Sequence, residues 1–267
     1  MIDFTRLDTL KQRRPLVHCV SNIVSANDCA NLALAVGASP MMAQGATEMA
    51  AITAISDATV LNTGTPDEEK YRVCLLCGQE AAARRQPIVL DPVGVGASHW
   101  RLQSIQALLH MFTPTILRVN LGEAQALLQT ESREQGVDSP APASLEERLD
   151  AARRLARQRR TTVLLSGPED LVTDGSAVWM VSGGSNLMSY VTGTGCMLSV
   201  LCGAFAAVEP DPTAAAVLAA AFWKVCSQQA EREAGNKGPG SFRTALMDAA
   251  YRLTAGELAA EAAVEAF

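Results

Sequence analysis

Aromatic residues are scarce in this chain, at 4% of 267 residues. A core built on stacked rings is excluded, and alanine and leucine must fill the interior, which suits helices packed closely on a sheet. Basic residues are also short: 22 Lys and Arg against 28 Asp and Glu leave a net charge of −6. That balance argues against a nucleic-acid partner, because no basic stripe is available to neutralise phosphates. The one basic run, Arg153 to Arg160, alternates with Ala, Leu and Gln and reads as the solvated face of a helix. Long apolar runs are missing too. The alanine-rich stretch near 213–222 breaks at Lys224, short of a bilayer span, so no membrane partner is expected. The first residues, Met1-Ile2-Asp3-Phe4, lack the basic start and apolar stretch of a signal peptide. Seven cysteines over this length do not make a disulfide framework, and a cytoplasmic protein with reduced thiols is expected. Cys74 and Cys77 have CxxC spacing without a second ligand pair for zinc. They fall inside an amphipathic run from Asp67 to Arg85 and read as small residues on one helix face. Neither a Walker GxxxxGK[ST] loop nor a GxGxxG fingerprint with a suitably placed acid occurs, and HExxH and GxSxG are absent.

What is present is a regular alternation. Hydrophobic residues at 48% and charged residues at 19% describe a compact globule. Short β-branched runs at Leu16–Val20, Thr59–Leu61, Ile88–Leu90, Thr115–Val119 and Thr162–Leu165 predict strands. Between and after them, helices are predicted over Ala26–Val36, Thr47–Ile55, Asp67–Arg85, Trp100–Met111, Leu121–Leu128, Leu145–Gln158, Thr194–Val208, Thr213–Ala234 and Ser241–Thr254. Strand–helix alternation implies parallel strands with helices on both faces. Asp174-Gly175, set between Leu171–Thr173 and Ala177–Val181, signals an antiparallel hairpin joining that sheet. The last helices are expected to follow without further strands. Thr130 to Ser144, with two prolines, reads as a surface loop within one domain spanning 1–267.

In an open α/β sheet, ligands bind beyond the carboxyl ends of the strands. After Ile88–Leu90 comes Asp91, then a glycine-rich loop that separates it from the next helix and disfavours a simple capping role. After Thr115–Leu117 come Arg118, Asn120 and Glu123. Asn120 and Glu123 have the spacing of a capping box, and Glu123 could equally face a metal or its water, with Arg118 toward phosphates. Ser166 follows Leu165 and suits a nucleotide phosphate or sugar. The strongest element is Thr192-Gly193-Thr194-Gly195-Cys196 at a predicted helix start. Two glycines permit close backbone approach, and the free N–H groups of the helix make an anion hole suited to a phosphoryl group in transfer. A thiol at such a helix start tends toward the thiolate, so Cys196 is placed to orient or deprotonate a hydroxyl. His18 reads as hydrogen-bonded core or pocket wall, and Trp179 and Trp223 as core.

Seven segments in order resemble the hydroxyethylthiazole kinases of the ribokinase superfamily. They are Leu16–Asn22, Gly37–Ala43, Leu90–Ala97, Gly136–Ser139, Val172–Gly175, Val191–Met197 and Gly238–Phe242. The resemblance implies a ribokinase-like three-layer α/β/α sandwich with a mostly parallel central sheet and an antiparallel hairpin. It implies ATP-dependent phosphorylation of 4-methyl-5-(2-hydroxyethyl)thiazole in thiamine biosynthesis or salvage, with Mg²⁺, by a homotrimer whose active sites lie between subunits. By position, Arg118, Glu123, Ser166 and Gly195 would contact ATP, and Asp91 would lie near the metal with Glu123. Met42 and Gly193 would contact the thiazole, Asn22 would line the same pocket, and Cys196 would act on the hydroxyl. Two departures stand out: Val119 where the family usually has Gly, and Ser189 where it often has Lys. Two other readings remain, namely a kinase for a pyridoxal-like or pyrimidine-methanol alcohol, and a nucleotide-binding protein without turnover.

Overall fold

The computed structural model describes residues 2–128 and 143–267. The expected 130–144 loop, except its last two residues, and the Gly136–Ser139 segment lie outside the described residues. Among those described, nine strands form one sheet in the order β2-β1-β3-β4-β5-β6-β7-β8-β9. The strands are β1 (Leu16–Val20), β2 (Ser39–Met41), β3 (Ala58–Asn62), β4 (Ile88–Asp91), β5 (Ile116–Asn120), β6 (Thr162–Ser166), β7 (Asp170–Thr173), β8 (Val178–Ser182) and β9 (Ala263–Ala266). β1 to β6 pair in parallel, and β7, β8 and β9 are antiparallel additions.

Period-two alternation divides the strand side chains between two cores. Val17, Val60, Val89, Ile116 and Leu164 face one, and Val20, Leu61, Ile88, Leu90, Leu117 and Leu165 face the other. The first core is closed by α1 (Arg6–Arg13), α2 (Ala26–Val36), α8 (Thr194–Ala206), α9 (Pro212–Ala234), α10 (Pro239–Arg252) and α11 (Ala255–Glu261). The second is closed by α3 (Met49–Ile55), α4 (Glu68–Ala83), α5 (His99–Met111), α6 (Leu121–Leu128) and α7 (Leu145–Arg159). This is the expected three-layer sandwich. Small side chains let α8 sit close to the sheet: a Cβ on Gly203 would lie 2.5 Å from Val60 Cγ2. Cys74 and Cys77 are both buried on the inner face of α4.

The hairpin joins β7 to β8 through a four-residue turn, Asp174 to Ala177, rather than through Asp-Gly alone. Gly175 has φ +97°, and the Asp174 carboxylate accepts from the amides of Ser176 and Ala177 at 2.8 and 3.2 Å. The expectation that no strand follows the last helices is corrected by β9, which pairs with β8 at the sheet edge. β2, another edge strand, was likewise not predicted. Each is three or four residues long and rich in Pro, Ser or Ala, so no strand periodicity announces it.

Candidate active site at the carboxyl ends of the strands

Because β1 to β6 run parallel, their carboxyl ends open on one side of the sheet. Met42 lies just past β2 and Asn22 just past β1. Asn62, Asp91, Asn120 and Ser166 are the last residues of β3, β4, β5 and β6. Arg118 points from β5 toward the same end, and α8 begins over it.

Asp91 is fully buried. Its Oδ2 accepts from Asn62 Nδ2 at 2.8 Å and from Ser199 Oγ, in α8, at 2.7 Å. Its Oδ1 accepts no hydrogen bond and lies 3.5 Å from Arg118 Nη1. Burial pushes the Asp91 carboxyl up to about 6, with Glu123 adding to the rise and Arg118 opposing it. The Arg118 guanidinium is itself drawn down by burial, but Asp91 and Glu123 outweigh this and hold it above its ordinary value.

Arg118 Nη2 donates to Ser166 Oγ at 2.8 Å, so two strand ends and one cation are fixed together. The guanidinium lies against the start of α8. A Cβ on Gly195 would stand 2.6, 2.8 and 2.9 Å from its Nη2, Nη1 and Cζ. Gly193 is constrained twice, by a φ of +85° and by Ser25, whose Cβ would lie 2.7 Å from an added Cβ. Each glycine of the Gly-Thr-Gly-Cys run thus has a distinct steric reason.

Glu123 forms the reciprocal capping box: Asn120 N donates to its Oε2 and Asn120 Oδ1 accepts from its N, both at 2.9 Å. Its Oε1 also accepts from Gly94 N at 2.9 Å. The carboxylate therefore pins the loop after β4 to the start of α6, and it also lines a surface cleft with Gly94, Gly96 and Asn120. Val119 points into the core away from this end, so the departure from glycine introduces no side chain among these groups.

Cys196 is half-buried, whereas the other six cysteines are buried. Asn22 Nδ2 donates to its Sγ at 3.2 Å. Met42 is half-buried against the core beside β1. Here His18 Nε2 and the Ala43 carbonyl lie 3.1 Å apart, which fixes the chain just beyond Met42. Burial holds the His18 imidazole below its usual value.

Arg118, Ser166 and Gly195 share a cleft of about 360 Å³ with Gly167, Gly183, Gly184 and residues of α9. Two charged members were not singled out from sequence. Asp170 is buried, and burial raises its carboxyl. Lys224 Nζ lies 3.6 Å from Asp170 Oδ1 and donates to the carbonyls of Gly167 and Pro168 at 3.0 and 2.8 Å. Trp223, expected as core, is buried but also lines this cleft and donates to the Thr194 carbonyl at 3.1 Å.

The profile of the Hydroxyethylthiazole kinase family matches residues 7–256. The chain belongs to the hydroxyethylthiazole kinase family. It is 41% identical over 249 residues to a hydroxyethylthiazole kinase of Listeria monocytogenes, covering 93% of this chain and 92% of that protein. A hydroxyethylthiazole kinase of Methanocella arvoryzae is 40% identical, with 95% and 94% covered. A hydroxyethylthiazole kinase structure from Pyrococcus horikoshii OT3 superposes with a TM-score of 0.90 at 36% identity, covering 99% of this chain and 98% of that one. A ribokinase-like superfamily protein from Enterococcus faecalis shares the fold alone, with a TM-score of 0.60 at 15% identity, covering 90% and 88%. The protein is thus an enzyme of the hydroxyethylthiazole kinase family, a phosphotransferase with the ribokinase-like fold. Among the described residues no helix is long and apolar enough to cross a membrane.

Proposed function

We propose that the protein transfers the γ-phosphoryl group of ATP to the hydroxyethyl oxygen of 4-methyl-5-(2-hydroxyethyl)thiazole, with the strand-end cluster as its catalytic centre. The observation that carries this reading is the meeting of Arg118, Ser166, buried Asp91 and the glycine-flanked start of α8 at one point. The cleft of about 360 Å³ takes the nucleotide. Arg118, Ser166 and the N–H groups at Gly195 hold its phosphates, compensating charge as the phosphoryl group moves. Gly193, Asn22 and Met42 hold the alcohol, and Cys196 receives or orients its hydroxyl proton.

Mg²⁺ fits the acidic side of the centre. It takes one or two carboxylates and completes its shell with phosphate oxygens and water. Asp91 offers a buried oxygen without a hydrogen-bond donor, and Glu123, close enough to raise the Asp91 carboxyl, lines a cleft with Gly94 and Asn120. When bound, the ion would neutralise charge on the transferring phosphates. Asp91 and Glu123 would hold it directly or through water.

The acceptor side is less enclosed within one chain. Ile23 and Val24, next to Asn22, are 80% and 61% exposed. Apolar residues left in water beside a substrate site favour cover by a second copy, and we read the enzyme as a homotrimer with sites between subunits. Cytoplasmic residence accords with seven free cysteines.

The test is a substrate panel. With Mg²⁺ and ATP, the purified protein should phosphorylate the thiazole alcohol in preference to pyridoxal and a pyrimidine-methanol. Binding of ATP with no phosphorylation of any of the three would overturn the proposal.

A further inference from the structure

We infer that Asn62 is a positioning residue that ties the carboxylate on the phosphate side of this centre to the thiol on the acceptor side. The inference rests on the proposed function for its kinetic meaning and on hydrogen bonds for its structural one. Asn62 ends β3, between the strands that lead to Asn22 and to Asp91, and is 2% exposed.

The direction of every bond in the chain of contacts is fixed. Asn22 Oδ1 accepts from the backbone amides of Val24 and Ser25, both at 3.0 Å. Its Nδ2 must therefore face the other way, and its two hydrogens go to Asn62 Oδ1 at 2.9 Å and Cys196 Sγ at 3.2 Å. Asn62 Oδ1 also accepts from Gly64 N at 3.0 Å. Asn62 must then turn its own Nδ2 to Asp91 Oδ2, at 2.8 Å. Flipping either amide would set N–H against N–H in a buried site, which is costly. Gly64 supports this arrangement, since an added Cβ would lie 2.9 Å from Asn22 Nδ2 and 3.0 Å from Asn62 Oδ1.

Two consequences follow for the reaction. Asn62 and Ser199 both occupy Asp91 Oδ2, so Oδ1 is the oxygen presented to the phosphate side. At the other end, Cys196 Sγ receives an N–H, which leaves its lone pairs and any S–H proton directed by Asn22. One side chain thereby sets the spacing between the phosphate-side carboxylate and the group that handles the hydroxyl. Misplacement on the order of 1 Å between such groups costs about 100-fold in rate.

Two variants test this. Asn62→Asp keeps an oxygen for Asn22 and Gly64 but sets an oxygen against Asp91. It should lower kcat by at least about 30-fold while the KM for the alcohol changes less than about threefold. Asn62→Leu removes both links. It should lower kcat by about 100-fold, raise the alcohol KM, and slow iodoacetamide alkylation of Cys196 by about fivefold, because Asn22 loses the acceptor of its other N–H and the amide that donates to the sulfur shifts. ADP binding shows that each variant is folded. If both keep kcat and alkylation rate within about twofold of wild type, Asn62 only closes a strand end and the inference fails. If Asn62→Leu does not fold, Asn62→Asp decides alone, and parallel loss of kcat and alcohol KM there overturns it. Should the wild type phosphorylate no alcohol, the proposed function falls, while the alkylation rates still judge the link from Asn62 to Cys196.

Discussion

Replacing Gly195 by alanine separates the chemistry of the α8 start from its stability. The added methyl would stand 2.6 to 2.9 Å from three atoms of the Arg118 guanidinium. Ordinary carbon contacts begin near 3.5 Å, so the guanidinium must retreat by about 0.5–1 Å. A surface arginine would do so freely. This one is pinned by Ser166 at 2.8 Å and Asp91 at 3.5 Å, and its side chain is 12% exposed. Losing a hydrogen bond to a charged group costs about 1.5–3 kcal/mol. Expressed in the transition state, that is roughly a 10- to 100-fold loss in kcat/KM. The fold should lose less than this, because alanine is favoured over glycine within a helix by about 1 kcal/mol, offsetting part of the strain. The assay is ATP-dependent phosphorylation of the thiazole alcohol, with thermal unfolding measured alongside. Gly256→Ala is the control, because nothing lies within 4 Å of its added Cβ. A folded Gly195→Ala protein with kcat/KM within about twofold of wild type would refute the placement of Arg118 by the helix start.

Asp91 should give the ligand-free enzyme an unusual pH dependence. Its carboxyl sits at about 6 when folded, above the unfolded value near 3.9, so the native state holds the extra proton. Its stabilising contribution is present below about pH 4 and is lost as pH rises through about 6, on the order of 2–3 kcal/mol. Chemical denaturation of wild type and Asp91→Asn across that range checks this, since the variant should lack that part of the slope. Cys196→Asp should retain activity, because a carboxylate at the same helix start is already deprotonated at neutral pH and can accept the hydroxyl proton. Complete loss in a folded variant would show that the thiol itself is required. Lys224→Met should weaken ATP binding by about tenfold, because buried Asp170 is then left without its cation in the nucleotide cleft. Adding Asp170→Asn should recover at least about threefold by isothermal titration, and no recovery would refute the charge argument.

Much of this centre was legible because its residues follow strands whose apolar runs are unambiguous. Asp91, Arg118 and Ser166 are readable as strand-end residues, and the Gly-Thr-Gly-Cys run announces a helix start. Asn62 was not, since a lone Asn before Thr-Gly-Thr reads as a turn until β4 is set beside it. Lys224 and Asp170 were hidden for a related reason. Lys224 lies in the fourth turn of a long alanine-rich helix, and only the packing of α9 against β6 and β7 brings it to the loop after Ser166. Glu123 shows the limit of choosing between roles from spacing. The capping box is formed in full, and the same carboxylate still lines a cleft. β2 and β9 escaped because edge strands need little hydrophobic pattern to pair on one side.

The strand order has a consequence for how such an enzyme can diversify. Asn22 and Met42, the side chains proposed to meet the alcohol, come from the first quarter of the chain, just past β1 and β2 at one flank of the sheet. The cleft proposed to take the nucleotide is drawn from β5 to β7, the loop after β8, the start of α8 and α9, at the other flank. Asp91 and the α8 start stand between them. A graft of the segment from β1 to past β2 would therefore exchange these two side chains while leaving the floor of that cleft untouched, provided that Asn62 still finds an amide to receive at its oxygen. On the proposed assignment, a short N-terminal cassette would change the alcohol accepted while the residues assigned to the phosphates stay in place.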